Sequence, residues 1–194
     1  GDDLRTPCPR TPRALLREVA RVRIFGLDLS TTRVGVADAT GEVISLKSHA
    51  KADDPYRRLH ELGREIERVF RLRPPAPDLV VVEDYSLGQP GRMNTLIRLG
   101  EVGGLVRTRL WELGYPMAFV RPATLKRFAT GNGNATKEAM VARAIALGCV
   151  APGGTAPNDD EADAWHLRRM GRAAYGLEGA LTDAERDALS VVKW

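Results

Sequence analysis

An apolar segment that ends in an aspartate most constrains how this chain can fold. Residues 24–29 are Ile-Phe-Gly-Leu-Asp-Leu, and a second apolar run at 34–37 follows a short polar turn. Two such runs joined by a short turn predict a β-hairpin. Asp28 then lies at a strand end, where a carboxylate that is shielded from water needs a partner. The NH groups of the turn and a cation are equally good partners at this stage.

Composition restricts the class of protein. With 194 residues, the chain has the size of one domain with a substantial core. No apolar run has the length of a membrane span and no secretory signal opens the sequence, so we expect a cytoplasmic protein without a membrane partner. Cys8 and Cys149 form no CxxC pair and the three histidines share no ligand spacing. Oxygen is therefore the expected donor for any metal.

The charge balance favours an anionic partner. The formal net charge is +4, the pI is about 9.3, and arginine far outnumbers lysine among the 29 basic residues. Arginine binds phosphate groups in a bidentate manner. Composition therefore favours a nucleic acid as the partner, although a high arginine content also follows from a GC-rich genome.

Hydrophobic periodicity and turn residues predict an order that begins βββαβαβαα and continues with two further helices. The predicted strands are residues 24–29, 34–37, 43–46, 78–85 and 117–120. The predicted helices are residues 54–72, 92–113, a short helix from 121, 136–147, one from 158 and one from 182. We expect an N-terminal arm with a short helix at 1–21, a main domain at 22–173, and a peripheral C-terminal helical extension at 174–194.

Two further groups of acids accompany Asp28. The buried strand at 78–85 carries Glu83 and Asp84 near its C-terminal end, where ligands collect in open α/β sheets. The helix that begins near Asn158 has four acids in its first turns, and Asp160 and Asp163 are spaced to share one face. These acids suit either partners for the helix dipole or ligands for a cation.

A lysine also opens a predicted helix. Thr136 is the expected N-cap, and Lys137 follows it, so that an ammonium group and free NH groups lie together. An anion-binding lysine and a solvated lysine explain this arrangement equally well. The helix at 92–113 is unusual in another way, because Gly100, Gly103 and Gly104 favour close approach of its backbone to the sheet or to another chain. A bent but otherwise ordinary helix is the alternative.

Hard oxygen ligands at one edge of a sheet suit Mg²⁺, with Mn²⁺ as a substitute. Two such ions can activate water and stabilise the leaving oxygen of a phosphodiester. A basic protein with this cluster of carboxylates is typical of a nuclease, and no small-molecule cofactor is expected.

From residue 24 to about residue 170, the chain resembles the RuvC-type Holliday junction resolvases of the ribonuclease H-like superfamily. The matching segments are residues 26–32, 82–83, 99–104, 121–126, 136–137 and 160–164. The resemblance implies an α/β fold with a mixed five-stranded sheet flanked by helices. It implies four metal-binding acids with catalytic roles, namely Asp28, Glu83, Asp160 and Asp163.

The same resemblance implies further residues and partners. Lys126 and Lys137 would contact DNA or serve in the active site, the glycine-containing helix would help form a homodimer, and branched DNA would be the substrate. Tyr85 and Arg92 are additional candidates for DNA contact. Asp84 and Asp159 are rival ligands by spacing.

The sequence departs from the family pattern. Bacterial members usually have an aromatic residue three positions after the strand-end glutamate, where this chain has Ser86, with Tyr85 one position earlier. The divergent, arginine-rich sequence resembles viral members, which act in an infected host cell. The alternatives are a flap- or RNA-directed nuclease, an ATP-binding protein of the sugar kinase or actin type, since the first hairpin resembles their phosphate-binding hairpin, and a non-catalytic DNA-binding protein.

Overall fold

The computed structural model of the protein describes residues 22–31, 33–50, 54–72, 76–85 and 93–194. Its strands are β1 (Ile24–Leu29), β2 (Arg33–Ala37), β3 (Val43–Lys47), β4 (Leu79–Glu83) and β5 (Met117–Val120). Its α-helices are α1 (Pro55–Leu72), α2 (Met93–Glu112), α3 (Pro122–Thr130), α4 (Lys137–Ala146), α5 (Asp159–Ala174) and α6 (Asp183–Ser190). These elements confirm the predicted order from residue 22 onwards. The helix expected within residues 1–21 lies outside the described ranges.

The five strands form one mixed sheet in the order β3-β2-β1-β4-β5. β1 pairs antiparallel with β2, and β2 pairs antiparallel with β3, which confirms the predicted hairpin and meander. β4 lies parallel to β1, and β5 lies parallel to β4. The C-terminal ends of β1 and β4 therefore meet at the same edge of the sheet, which is where Asp28 and Glu83 lie.

Helices cover both faces of the sheet. One face buries Phe25, Leu27 and Val82 against residues of α1 and α2, such as Phe70 and Val106. The opposite face packs on α3, α5 and α6 through a second apolar cluster. In the described ranges, no helix is long and apolar enough to cross a membrane.

Helix α5 lies unusually close to the sheet because two strand residues have no side chain. A Cβ atom at Gly26 would be 1.9 Å from the carbonyl oxygen of Ala164, and one at Gly35 would be 2.1 Å from that of Asp160. No side chain fits at either position. The two glycines therefore let the start of α5 pack directly over β1 and β2, next to Asp28.

The expectation of a peripheral C-terminal helix is wrong. Ala188 of α6 is buried in the second apolar cluster. The buried carboxylate of Glu185 pairs with Arg169 of α5 at 2.5 Å, and Asp187 pairs with Arg127 of α3 at 3.0 Å. The sequence showed a short, polar helix, and only the tertiary structure reveals that its one apolar face has a partner.

Candidate active site

Four carboxylates from three elements converge at one edge of the sheet. The parallel register pairs Gly26 with Val81 and Leu27 with Val82, so the next step along both strands sets Asp28 beside Glu83. Side chains alternate along a strand, and both acids point to the face that α5 covers. Asp160 and Asp163 approach the same point from the first turns of α5.

Asp28 lies beside Glu83, an acid at the end of the neighbouring parallel strand. Burial and then the charge of Glu83 raise the pKa of Asp28 well above its usual value. Burial raises the pKa of Glu83 to about 7, and the charge of Asp163 adds to the rise. The turn itself is closed by Ser30, whose hydroxyl donates to the carbonyl of Arg33 at 2.9 Å.

The two acids of α5 are similarly crowded. Burial and then the charge of Asp28 raise the pKa of Asp163 to about 7. Burial and then the charge of Asp159 raise the pKa of Asp160. Oδ2 of Asp160 lies 3.1 Å from Nε of Arg33, but without hydrogen-bond geometry. Oδ2 of Asp160 and Oδ1 of Asp163 are buried oxygens without a hydrogen-bond partner among the described residues.

The start of α5 is fixed by its cap. The Asn158 side chain accepts from the NH of Glu161 at 3.0 Å, and the Glu161 carboxylate accepts from the NH of Asn158 at 2.9 Å. This is the capping box that the sequence predicted. The carboxylates of Asp160 and Asp163 are therefore held near the positive end of the helix dipole, which offsets part of their mutual repulsion.

The donor set suits a hard divalent cation. Four buried or partly buried carboxylates supply only oxygen atoms, their charges raise one another's pKa values, and two of their oxygens have no hydrogen-bond partner in the described ranges. Among all the residues that the structure describes, no group of three His, Cys, Asp or Glu side chains is already close enough to hold an ion. The carboxylates would therefore have to draw closer around it.

Two lysines border the acids. Lys137, the first residue of α4, pairs through Nζ with Oδ2 of Asp159, and this contact raises the pKa of Lys137 and lowers that of Asp159. The charges of Lys137 and Lys126 also lower the pKa values of Glu83 and Asp163. Thr136 caps α4 as predicted, since its hydroxyl accepts from the NH of Ala139. Lys137 is thus neither isolated nor merely solvated.

The structure separates Asp84 from the four acids. Asp84 follows Glu83 directly, so its side chain points to the opposite face, where it pairs with Arg107 of α2 at 2.9 Å. The Tyr85 ring is packed within the chain, because the guanidinium of Arg107 lies 4.3 Å from its centroid. Arg92, the other candidate for DNA contact besides the lysines, lies outside the described residues.

Sequence reasoning missed two kinds of residue. Arg33 and Arg107 are ion-pair partners whose contacts depend on the tertiary fold, and no local pattern predicts them. Gly26 and Gly35 did carry a signal, because a glycine inside a strand often marks close approach of another backbone. That signal would have placed a helix over the hairpin.

Comparison with known proteins places this chain in a family. The crossover junction endodeoxyribonuclease RuvC of Nitratidesulfovibrio vulgaris is 30% identical over 125 residues, which cover 61% of this chain and 73% of that protein. The chain belongs to the RuvC family. Another RuvC, from Ruegeria pomeroyi, is 28% identical over 172 residues, covering 84% of this chain and 98% of its own length. A search for a matching protein-family model found none.

Solved RuvC structures have the same fold. Thermus thermophilus RuvC in complex with a Holliday junction substrate superposes with a TM-score of 0.60 at 20% identity, over 81% of this chain and 96% of that one. A second structure of Thermus thermophilus RuvC gives a TM-score of 0.55 at 21% identity, over 80% and 98%. The predicted ribonuclease H-like fold, a mixed five-stranded sheet flanked by helices, is confirmed.

Proposed function

We propose that the protein is a structure-selective DNA endonuclease that cleaves Holliday junctions by metal-assisted hydrolysis of phosphodiesters. The observation that carries the proposal is the convergence of Asp28, Glu83, Asp160 and Asp163 at one edge of a RuvC-type sheet. Four acids that raise one another's pKa values destabilise the fold unless a cation or a bound proton offsets their charge. The relatives of this chain are named crossover junction endodeoxyribonuclease, and this name supports DNA junctions as the substrate.

The four acids would hold Mg²⁺, for which Mn²⁺ is a suitable substitute. Bound there, the metal would lower the pKa of a water molecule and stabilise charge on the leaving oxygen. Lys137, paired with Asp159 at the rim, would present its ammonium group to the phosphate that is cut. Lys126 would contact the DNA backbone beside that phosphate, since the charge of Lys126 already acts on Glu83 and Asp163. Asp84 is assigned no ligand role because it faces Arg107.

Two copies of the chain would form the working enzyme. A four-way junction has near two-fold symmetry and needs two opposed cuts, which suits a C2 dimer with one site in each subunit. Helix α2 supplies a surface for this contact: Ile97 and Trp111 are 54% and 74% exposed, and Cβ atoms at Gly100 and Gly104 would meet nothing within 4 Å. These four residues lie at helical spacing along one side of α2. We call them the α2 stripe.

Gly103 does not belong to the α2 stripe. A Cβ at this position would be 2.0 Å from the hydroxyl of Tyr85, so Gly103 makes room for a side chain of its own subunit. The prediction that three glycines act together is therefore corrected, and the interface proposal rests on Gly100 and Gly104. The proposal of a viral member rests on the divergent, arginine-rich sequence alone.

Cleavage of matched substrates tests the function. The protein is incubated with a four-way junction and with a linear duplex of the same sequence, in Mg²⁺, in Mn²⁺ and in EDTA. We expect paired cuts in the junction with either metal, little cleavage of the duplex, and none in EDTA. Asp28→Asn and Asp163→Asn should lower the rate by several orders of magnitude while sparing junction binding.

Asp183→Asn is the matched control, because Asp183 also lies in the first turn of a helix but on α6, where its side chain is 93% exposed. It should cleave like the wild type, and Asp159→Asn should lose far less than Asp163→Asn. Wild-type cleavage by Asp163→Asn would overturn the site assignment. Junction binding with no cleavage in either metal would favour a non-catalytic DNA-binding protein.

A further inference from the structure

Arg107, in the middle of α2, lies between two aromatic rings and a carboxylate. Its guanidinium carbon is 4.3 Å from the ring centroid of Tyr85 and 4.3 Å from that of Phe119. Its Nη2 atom donates to Oδ1 of Asp84 at 2.9 Å. The side chains of Arg107 and Asp84 are 27% and 35% exposed, so this pair is more shielded from water than an ordinary surface pair. We call these four residues the Arg107 cluster.

The cluster fixes Tyr85 at several points. The NH of Tyr85 donates to Oδ1 of Asp84 at 2.9 Å, and its hydroxyl donates to the carbonyl of Gly100 at 3.5 Å. The ring lies against the bare backbone of Gly103, where a Cβ would be 2.0 Å from the hydroxyl oxygen. Tyr85 is therefore a packed side chain that ties the end of β4 to α2.

The Arg107 cluster is directly connected along the chain to Glu83, a proposed metal ligand and the last residue of β4. The NH of Asp84 donates to the carbonyl of Val120 at 2.7 Å, which extends the pairing of β4 with β5 by one step beyond Glu83. Asp84 and Tyr85 are the two residues that follow Glu83. Because side chains alternate along a strand, anchoring Asp84 to one face of the sheet directs Glu83 to the other.

We propose that Arg107 is a positioning residue for Glu83: by clamping Asp84 and Tyr85 to α2, it holds the Glu83 carboxylate toward the other three acids. This inference rests on the proposed function, because it takes Glu83 to be a metal ligand. Arg107 itself lies on the opposite face of the sheet from the acids and touches neither the metal nor the substrate. It acts through the backbone of the next two residues.

Removal of Arg107 removes both of these contacts. The Asp84 carboxylate loses its counter-charge at a partly buried position, and the rings of Tyr85 and Phe119 lose the cation between them. The residues after Glu83 then lose one of their anchors to α2, while Tyr85 keeps its contacts with Gly100 and Gly103. Residues that orient metal ligands typically contribute about 10- to 100-fold to metal affinity or activity when they are replaced.

The test compares two arginines of the same helix. Arg107→Met removes the charge and the planar group but keeps an unbranched stem, and Arg107→Lys keeps the charge without the planar group. The matched control is Arg109→Met, because Arg109 also pairs with an acid, Glu112, at 2.7 Å but on an exposed surface. For each protein, Mn²⁺ affinity is measured calorimetrically without DNA, together with melting temperature, junction affinity in EDTA and single-turnover cleavage.

We expect Arg107→Met to weaken Mn²⁺ binding and slow cleavage by about 10- to 100-fold, with junction affinity within about twofold of wild type. Arg107→Lys should recover part of the loss, and Arg109→Met should match the wild type. Asp84→Asn should reproduce the effect of Arg107→Met, and the double variant should be no worse than either single variant.

Three results would overturn the inference. Mn²⁺ affinity and cleavage in Arg107→Met equal to those of Arg109→Met would show that Arg107 does not position Glu83. A loss of function in Arg107→Met matched by a loss of junction affinity would assign it to DNA binding instead. If Arg107→Met fails to fold, wild-type Mn²⁺ affinity in Asp84→Asn would refute the positioning role. A wild-type protein that neither binds Mn²⁺ nor cleaves junctions would refute the proposed function itself.

Discussion

Asp28 lies beside Glu83 across two parallel strands, and burial together with the charge of Glu83 raises the pKa of Asp28 well above its usual value. With Asp160 and Asp163 close by, burial and repulsion favour the neutral forms, and the pKa values of all four groups are raised. The fold therefore carries a concentration of negative charge that weakens it at neutral pH.

Replacing one of these acids should stabilise the protein when no metal is added. A raised pKa means that the folded state binds the proton of Asp163 more tightly, so the contribution of this group to stability is greatest below about pH 4 and is lost as the pH rises through about 7. Asp163→Asn removes one of the charges responsible. In EDTA at pH 8, we expect a free energy of unfolding about 1–3 kcal/mol higher than that of the wild type, measured by urea denaturation.

That difference should shrink toward zero near pH 4, where the wild-type carboxyl is also neutral. Added Mg²⁺ should narrow it as well, because the ion binds only the wild-type set of four acids tightly. A variant less stable than the wild type at pH 8 would show that the acids do not repel one another in the folded protein.

Gly35→Ala should disturb both the fold and the site. Its Cβ would be 2.1 Å from the carbonyl oxygen of Asp160, and main-chain atoms of a packed helix cannot move aside cheaply. We expect a loss of at least about 1–3 kcal/mol in the free energy of unfolding, together with slower junction cleavage. Gly179→Ala is the control, since a Cβ there would meet nothing within 4 Å. Equal stability of the two variants would contradict the close packing of α5 on β2.

His166 should give a pH dependence of the opposite sign. It is fully buried on α5, its Nε2 lies 3.1 Å from the carbonyl oxygen of Met140, and burial lowers its pKa to about 4. The unfolded chain takes up a proton near pH 6.5 and the folded protein does not, so stability is lost as the pH falls from 6.5 to 4. His166→Gln removes this loss.

The measurement is the free energy of unfolding of wild type and His166→Gln at several pH values. The advantage of the wild type should shrink by up to about 3 kcal/mol between pH 7 and pH 4. His60→Gln, at an exposed position of α1, should track the wild type at every pH. An advantage that does not change with pH would show that His166 is protonated in the folded protein.

Lys126 and Lys137, the two lysines that border the acids, should determine part of the salt dependence of DNA binding. A contact between an ammonium and a phosphate releases a counterion, so the slope of log affinity against log salt should fall by about one for each lost contact. We expect this change for Lys126→Ala and for Lys137→Ala, measured by fluorescence anisotropy with a junction in EDTA. Arg71→Ala, on α1 beyond the opposite face of the sheet, should leave the slope unchanged. If the wild-type affinity for the junction is independent of salt, these two lysines do not bind DNA phosphates.

The α2 stripe should control the oligomeric state. Light scattering of the wild type should give twice the chain mass of 21.2 kDa, and Gly104→Leu or Trp111→Asp should give the mass of one chain. Tyr56→Asp is the control, because Tyr56 is 80% exposed on α1 and lies outside the stripe.

The monomeric variants should lose paired incision of a junction more than nicking of one strand. Gly103 is unsuitable for this test, since its replacement would displace Tyr85 within the subunit. A monomeric wild type that still makes paired cuts would refute the dimer.

The sequence predicted most of the fold because its elements carry local signals. The hairpin at β1 and β2, the buried strand β4 and the caps of α4, α5 and α6 each depend on residues within a few positions of one another. Amphipathic spacing identified α1 for the same reason. The acids were also identifiable, because an aspartate at the end of an apolar strand needs a partner wherever the strand lies.

Only the tertiary structure decided which acids meet and which residues hold them there. Glu83 and Asp84 are equivalent by spacing, and the alternation of β4 sends one toward α5 and the other toward Arg107. The docking of α6 likewise depends on Arg169, and the approach of α5 depends on Gly35 meeting the backbone of Asp160. The hydrogen bonds of turns and helix caps, and the periodicity of side chains, involve residues that are close along the chain, so they are visible in a sequence. Ion pairs and close packing join residues distant along the chain, so their partners are set only once the sheet and helices have assembled.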